Sequence, residues 1–230
     1  MAIIGIAGTA PGIGKTSVAE LILARLPGWH AARVRVADEV TGADAALLAD
    51  ADYRILSAET AAKDAEGRRL LAAGAHGATV LLAQPRGLAE GMKAMLRQVP
   101  DGAHLLVEGN AYLWAHDADV SLMVIGPGPS GKGMARAKAS VRELFRKIHI
   151  WVWNARTDPK AEGFFEFPMA LAKMGFKETV SNKADYHHAN PLEAGHSGNA
   201  PFADAVVQAL ERSHWRPESD EFLRRAGFDV

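Results

Sequence analysis

The sequence has 230 residues, of which 26 are Lys or Arg and 27 are Asp or Glu, with a formal net charge of −1. A chain of this length buries a substantial core, and we predict a single domain over residues 1–230. The near-neutral charge excludes long-range attraction to nucleic acid or to anionic membranes as a basis for function. Cysteine is absent, which excludes disulfides, thiolate nucleophiles and cysteine-ligated metals.

The amino-terminal apolar run, residues 1–8, has no basic residue ahead of it and leads into a glycine-rich loop. It is shorter than the apolar core and cleavage site of a signal peptide. No stretch approaches the roughly 20 apolar residues that a membrane-spanning helix needs. We therefore predict a cytoplasmic protein without membrane contact.

Short apolar runs alternate with helical patterns along the chain, which is typical of an α/β fold with a doubly wound, mostly parallel sheet and helices on both faces. The predicted strands are residues 3–7, 33–37, 78–82, 104–107, 120–125 and 148–153, with one more near 179–180. The predicted helices are residues 15–26, 60–73, 88–98, 134–147, 168–174 and 202–212. The segment 181–201, rich in His, Asn and Gly, is predicted to be irregular and either functional or mobile.

The most informative motif is the loop of residues 8–16, which reads Gly-Thr-Ala-Pro-Gly-Ile-Gly-Lys-Thr between the first strand and the first helix. Such a turn points successive backbone N–H groups at a phosphate, and the helix amino terminus adds partial positive charge. We expect Lys15 to neutralise the β and γ phosphates as a catalytic group, and the Thr16 hydroxyl to bind Mg²⁺. The residues predicted to hold the nucleotide at this loop are Gly8, Thr9, Gly12, Ile13, Gly14, Lys15, Thr16 and Ser17.

Two carboxylates follow predicted strands. Glu108 ends an apolar strand, and ligands of a doubly wound sheet bind at the carboxyl ends of its strands. We predict that Glu108 binds Mg²⁺ directly or through water. Asp38 follows the second strand and is interpreted either as a ligand of Mg²⁺ or of a catalytic water, or as an acid in a surface turn.

Two positions are candidates for reading the base, and both are expected on the same side of the sheet as the loop. Asn154 ends a late strand, where an asparagine of P-loop proteins often faces the base. Asn182, Lys183 and Asp185 fit the four-residue guanine motif, in which the carboxylate accepts from the base. If this motif reads the base, the nucleotide is GTP. If the match is a coincidence, ATP is the expected nucleotide and Asn154 the expected contact to the base.

Two further patterns can each be interpreted either as an ordinary surface loop or as a functional site. Residues 126–133 form a second glycine-rich loop, which is interpreted as a surface loop in preference to a second anion site at Lys132. Asp185, His187, His188 and His196 form a group that fits either a polar surface loop, the favoured interpretation, or a metal site.

The loop spacing, with glycine at position 8 rather than 9 ahead of Gly-Lys-Thr, resembles dethiobiotin synthetase and its relatives. The Leu-Val-Glu-Gly string at residues 106–109 is similar to the same group. Residues 63–75, with Lys-Asp, Arg-Arg and Ala-Gly-Ala, are similar to the adaptor of molybdopterin-guanine dinucleotide biosynthesis (the MobB type). The synthetase carries a Lys-Pro pair after its second strand, whereas residues 36–39 read Val-Ala-Asp-Glu here.

This resemblance implies a Mg²⁺-dependent nucleoside triphosphatase of the MobB type, preferring GTP and acting in molybdopterin-type cofactor biosynthesis. It also implies a partner enzyme of that pathway and a homodimer. Two alternatives remain open. One is an ATP-dependent ligase that phosphorylates a carboxylate, as in dethiobiotin synthetase, and the other is an adaptor that uses the nucleotide as a switch with negligible turnover.

Overall fold

The computed structural model describes residues 1–36, 43–57, 60, 65–126, 139–155 and 185–214. Eight strands within these ranges form one sheet in the order β3-β4-β2-β5-β1-β6-β7-β8. They are β1 (Ile3–Gly8), β2 (His30–Val36), β3 (Tyr53–Leu56), β4 (Gly77–Ala83), β5 (Leu105–Glu108), β6 (Val120–Ile125), β7 (Ile150–Asn154) and β8 (Asp185–Ala189). Every neighbouring pair is parallel except β3 with β4.

The helices of the described residues lie on both faces of this sheet. They are α1 (Lys15–Arg25), α2 (Ala43–Leu47), α3 (Ala65–Ala72), α4 (Leu88–Leu96), α5 (Asn110–Ala115), α6 (Ala139–Glu143) and α7 (Asn199–His214), with 3-10 turns at Pro85–Gly87 and Leu144–Lys147. Apolar side chains of α1, α3 and α7 pack against one face, and those of α4, α5 and α6 against the other. The predicted doubly wound α/β fold is confirmed.

The central strand β1 illustrates how the sequence forms this sheet. Its residues are apolar on both faces because both faces are covered, which is the pattern of a buried parallel strand. Ile4 and Ile6 belong to the cluster under α1, whereas Ala7 belongs to the cluster on the other face. The strand pairs with β5 on one side and β6 on the other, so the loop that follows it opens at the centre of the sheet.

The prediction of an irregular segment at 181–201 was wrong at residues 185–189, where the structure has the edge strand β8, whereas residues 190–198 have no regular secondary structure. Tyr186 packs against the cluster on one face, while the His187 ring lies 6.0 Å from the Phe202 ring on the other. Histidine and tyrosine rings therefore provide the two half-buried faces of a strand whose polar composition hid it.

Other boundaries differ in detail. The antiparallel strand β3 was not predicted, and β2 begins at His30, ahead of the predicted start. The predicted helix 134–147 is α6 and a 3-10 turn in its described part. The predicted helix 168–174 and the strand near 179–180 lie outside the described residues. In the part of the chain that the structure describes, no helix has the length and apolar character to cross a membrane.

Candidate functional site

The loop between β1 and α1 leaves a row of backbone N–H groups without acceptors. Thr9 N–H donates to the Val124 carbonyl at 3.1 Å, and the next N–H with a backbone acceptor is that of Val18, 3.0 Å from Gly14 O. Gly14 adopts φ 95° and ψ 28° at the start of α1, a left-handed conformation that favours glycine. In the described structure, the N–H groups of residues 12–17 therefore have no hydrogen-bond partner, and such a row is an anion cradle.

The Lys15 side chain crosses the start of this loop. A Cβ atom on Gly8 would lie 3.0 Å from Lys15 Cγ and 2.7 Å from Ile13 Cγ2. Glycine is therefore needed at position 8 because the lysine stem and Ile13 pass over its backbone. No ion pair of Lys15 occurs within the described ranges, so its ammonium group is left to balance the charge of an anion at the loop.

Thr16 and Glu108 meet beside the loop. The Thr16 hydroxyl donates to Glu108 Oε2 at 2.9 Å, and both side chains are buried. Glu108 reaches this position because it is the last residue of β5, in register with Ile6 of β1. A hydroxyl and a carboxylate are the hard oxygen ligands that Mg²⁺ uses in phosphate-binding sites, so the residues present fit this ion.

The described residues contain no group of three or more His, Cys, Asp or Glu side chains arranged to hold a metal. A metal held by Thr16 and Glu108 would fill further coordination positions with phosphate oxygens and water. Mg²⁺ dehydrates reluctantly and usually keeps several waters in such sites. The two oxygen groups of Thr16 and Glu108 thus suit a metal that arrives with a phosphate.

An arginine stands beside this pair and was missed by the sequence analysis. Arg33 Nε lies 3.3 Å from Glu108 Oε2, and its Nη2 pairs with Glu66 Oε2 on α3. The side chains of Arg33 and Glu108 are only 8% and 6% exposed. Arg33 is in register with Glu108 on the neighbouring strand β2. In the sequence, only the alternation of charged and apolar residues in the predicted second strand pointed to Arg33. That alternation did not identify Glu108 as its partner.

A second arginine connects α3 to the first turn of α1. Arg69 Nη2 donates to Ser17 Oγ at 2.9 Å and also pairs with Glu20. The hydrogen bond that Arg69 donates to Glu20 raises the pKa of Arg69, and the charges of Glu20, Glu66 and Glu108 act in the same direction. Ser17, predicted to hold the nucleotide, therefore has a guanidinium group as its neighbour.

Two asparagines hold the ends of the loop. Asn110 Oδ1 accepts from the Gly8 N–H at 2.8 Å, and its Nδ2 donates to the Gly8 carbonyl at 3.0 Å. Asn154 Nδ2 donates to the Ile13 carbonyl at 2.9 Å, and this side chain is buried. Asn154 was predicted to contact the base, whereas its donor group is used here by the loop backbone. Asn110 was assigned no role from sequence.

The second candidate for the base lies elsewhere. Asp185 is the first residue of β8, in register with Ile150 at the start of β7, so it lies at the amino end of a parallel strand. The loop opens at the carboxyl ends of the strands. The expectation that Asp185 shares the loop side of the sheet is therefore not met, and its carboxylate lies 3.4 Å from Arg212 Nη2. Asn182 and Lys183 lie outside the described residues.

The histidines near β8 form pairs rather than a larger cluster. The His188 and His196 rings are 4.9 Å apart between centroids, and burial, followed by the His196 charge, lowers the pKa of His188. Among the residues described here, they are not part of a metal-binding group of three. Asp38 and the second glycine-rich loop at Lys132 fall outside the described ranges.

Comparison with known proteins gives no family. No family model matches the sequence, and no curated protein matches it. Among solved structures, a protein described as a plasmid partition protein of Borrelia burgdorferi B31, bound to AMPPNP, matches with a TM-score of 0.44 and 9% identity over 92% of this chain and 98% of that one. The MinC:MinD cell division complex of Aquifex aeolicus matches with a TM-score of 0.40 and 15% identity, covering 93% and 86%.

Similarity at this level does not extend to function, so function has to be inferred from the residues of this chain. The chain has the P-loop architecture: a central β1, a glycine-rich turn with Lys15 and Thr16, and Glu108 on the adjacent strand. The assignment to the dethiobiotin synthetase and MobB-type group stays a prediction.

Proposed function

We propose that the chain binds a Mg²⁺–nucleoside triphosphate at the loop of residues 8–16 and hydrolyses its γ phosphate. The observation that carries this proposal is the combination of unpartnered loop N–H groups with Lys15, which has no ion pair in the described structure. Backbone donors, a helix amino terminus and a lysine together favour a polyphosphate over a single carboxylate.

The residues have distinct roles in this reaction. The loop N–H groups and the Lys15 ammonium hold the negative charge of the phosphates, including the charge that develops in the transition state. The Thr16 hydroxyl and Glu108 carboxylate hold Mg²⁺, which would neutralise charge on the phosphates. Thr16 can bind the metal through its oxygen while its proton remains directed at Glu108, because that hydrogen bond is already formed.

The residue that orients the attacking water is not fixed by these contacts. Asp38 stays the candidate from sequence, since it follows the end of β2 by two residues. A carboxylate that contacts the attacking water can accept its proton during attack on the γ phosphate. Turnover that persists in Asp38→Asn would remove this role from Asp38 while leaving nucleotide binding at the loop intact.

The narrower proposal is a GTP-preferring protein of the MobB type in molybdopterin-type cofactor biosynthesis. It is supported by the motif resemblance, and the position of Asp185 gives it no added support. ATP is therefore an equal candidate for the nucleotide. The adaptor alternative differs only in turnover and predicts tight binding with negligible hydrolysis.

The test compares binding of ATP and GTP with and without Mg²⁺, by calorimetry, for the unchanged chain and for Lys15→Ala. A charge-assisted contact to phosphate contributes roughly 1.5–3 kcal/mol, so the variant should bind about 10- to 100-fold more weakly. Lys93→Ala is the matched control, because Lys93 is an exposed lysine paired with Glu90 on α4. Equal affinity of Lys15→Ala and the unchanged chain, or no binding by either, contradicts the proposal.

A further inference from the structure

The hydrogen-bond ladder between β1 and β5 ends before β1 itself ends. The last register pair between β1 and β5 is Ile6 with Glu108, and Gly109 N–H donates to the Ile6 carbonyl at 3.0 Å. Alternate residues of a parallel strand direct both their N–H and their C=O to the same neighbour. Gly8, two residues after Ile6, therefore directs both groups towards a β5 that has already ended.

The chain leaves β5 through Gly109, which adopts φ 146°. A Cβ atom at this position would lie 2.4 Å from the Val34 carbonyl oxygen, so both the backbone angle and the space require glycine. Immediately afterwards, Asn110 begins α5. The sharp turn brings the Asn110 side chain to the place that the next residues of β5 would have occupied.

Asn110 supplies both missing hydrogen bonds. Its Oδ1 accepts from the Gly8 N–H at 2.8 Å, and its Nδ2 donates to the Gly8 carbonyl at 3.0 Å. A carboxamide carries the same donor and acceptor as a peptide group. The Asn110 side chain thus extends the ladder by one step, and Thr9 continues the ladder on the other side through Val124.

We propose that Asn110 is a positioning residue that fixes the first peptide of the loop in the conformation that binds phosphate. This inference rests on the proposed nucleotide site and assigns it a residue that does not touch the nucleotide. Gly8 is the last residue of β1. The orientation of its peptide group therefore sets the direction of the loop N–H groups that follow. A loop that is already in the binding conformation does not have to be ordered when the nucleotide binds. The smaller entropy cost of binding raises the affinity.

Asn110→Ala removes both hydrogen bonds and leaves the Gly8 N–H and C=O without their partner. The expected result is a rise of about tenfold in the dissociation constant of the Mg²⁺–nucleotide, measured with a fluorescent nucleotide, since the loop must then be ordered by the ligand. Hydrogen exchange of the nucleotide-free chain should also become faster at Gly8 and Thr9, the residues at the start of the loop whose N–H groups are hydrogen-bonded.

Thr79→Val is the matched control for a loss of stability alone. The Thr79 hydroxyl is buried and lies 2.9 Å from His30 Nε2, in the amino half of β4 and away from the loop. Its removal should lower the urea midpoint of unfolding while leaving the dissociation constant within about twofold. A structural role of Asn110 alone would make the two variants alike.

The inference is overturned if Asn110→Ala binds nucleotide as tightly as the unchanged chain, or if Thr79→Val loses affinity to the same extent. Weaker binding together with faster loop exchange in Asn110→Ala alone supports it. Failure of the unchanged chain to bind any nucleotide is a separate outcome, which overturns the proposed function itself. The two failures are distinguishable because the first requires an unchanged chain that binds.

Discussion

Replacing Arg33 by Met should lower the thermal stability of the chain and make that stability depend more strongly on a divalent cation. Arg33 lies between Glu66 and Glu108, and its Nε is 3.3 Å from Glu108 Oε2. Methionine has a similar length without the charge, so Arg33→Met keeps much of the packing. Glu108 would then remain buried, with the Thr16 hydroxyl as its remaining donor among these contacts.

The size of the effect follows from this geometry. Two unit charges at 3.3 Å attract by about 5 kcal/mol at an effective dielectric constant of about 20. Relief of the desolvation of Arg33 offsets part of that loss, and breaking a buried pair by removing one partner generally costs about 3–5 kcal/mol. For a chain of this size each kcal/mol lowers the melting temperature by roughly 2–4 °C, so we expect a fall of about 10 °C.

The assay is thermal unfolding without nucleotide, in EDTA and in millimolar Mg²⁺. In Arg33→Met the Glu66 and Glu108 carboxylates lose their shared cation, so Mg²⁺ should raise its melting temperature more than that of the unchanged chain. Arg25→Met is the matched control. In its ion pair with Asp204, the side chains of Arg25 and Asp204 are 60% and 44% exposed. Such exposed pairs contribute about 0–1 kcal/mol to stability.

Two results would refute this reasoning. One is an Arg33→Met variant that melts within about 2 °C of the unchanged chain in EDTA, since about 3 kcal/mol predicts a larger shift. The other is equal stabilisation of both chains by Mg²⁺, which would show that Arg33 does not compete with the metal for Glu108. A fall of the same size in Arg25→Met would show that the assay reports any lost arginine.

Three other perturbations have defined outcomes. Gly8→Ala should weaken nucleotide binding and cost about 1–3 kcal/mol of stability in urea, because its Cβ would lie 2.7 Å from Ile13 Cγ2. Phe202→Ala, which removes a fully buried ring of α7, should cost about 3–5 kcal/mol in the same assay without a direct effect on the loop. Burial, followed by the His76 charge, lowers the pKa of His30 below its ordinary value of 6.5, so the unfolded chain takes up this proton first and stability should fall as the pH drops through about 6.5. In His30→Gln the urea midpoint of unfolding should change less with pH between 7.5 and 5.5. An unchanged pH dependence of the midpoint would refute the role of His30.

The sequence predicted those parts of the fold in which a local pattern is sufficient. Residues 120–125 are apolar except for Ser121 because β6 is covered on both faces, and the strand has the predicted bounds. Strand β3 is a short antiparallel edge strand with intermediate and exposed residues, so no apolar run revealed it. Strand β8 was hidden for the same reason, since its half-buried faces consist of tyrosine and histidine rings.

The site was predictable where one segment contains it and hidden where sheet order assembles it. Lys15 and Thr16 follow a glycine turn within the same segment, and their spacing alone indicated a phosphate loop. Arg33 acquires its role from the placement of β2 next to β5, a neighbour that the chain reaches only after β3 and β4. Asp185 was misplaced because its motif does not show at which end of a strand it will lie.

The turn after β5 explains why these separate contacts act as one site. Glu108 ends the strand, Gly109 reverses the chain, and Asn110 returns to pair with Gly8. The carboxylate proposed to bind Mg²⁺ and the residue that holds the loop are therefore two positions apart and share one register with β1. A slip of one residue between β1 and β5 would direct Glu108 to the opposite face and would remove Asn110 from Gly8 at the same time. Both functions thus depend on the same ladder, in which Ile6 lies opposite Glu108, and a change that weakens this pairing should impair metal and phosphate binding together.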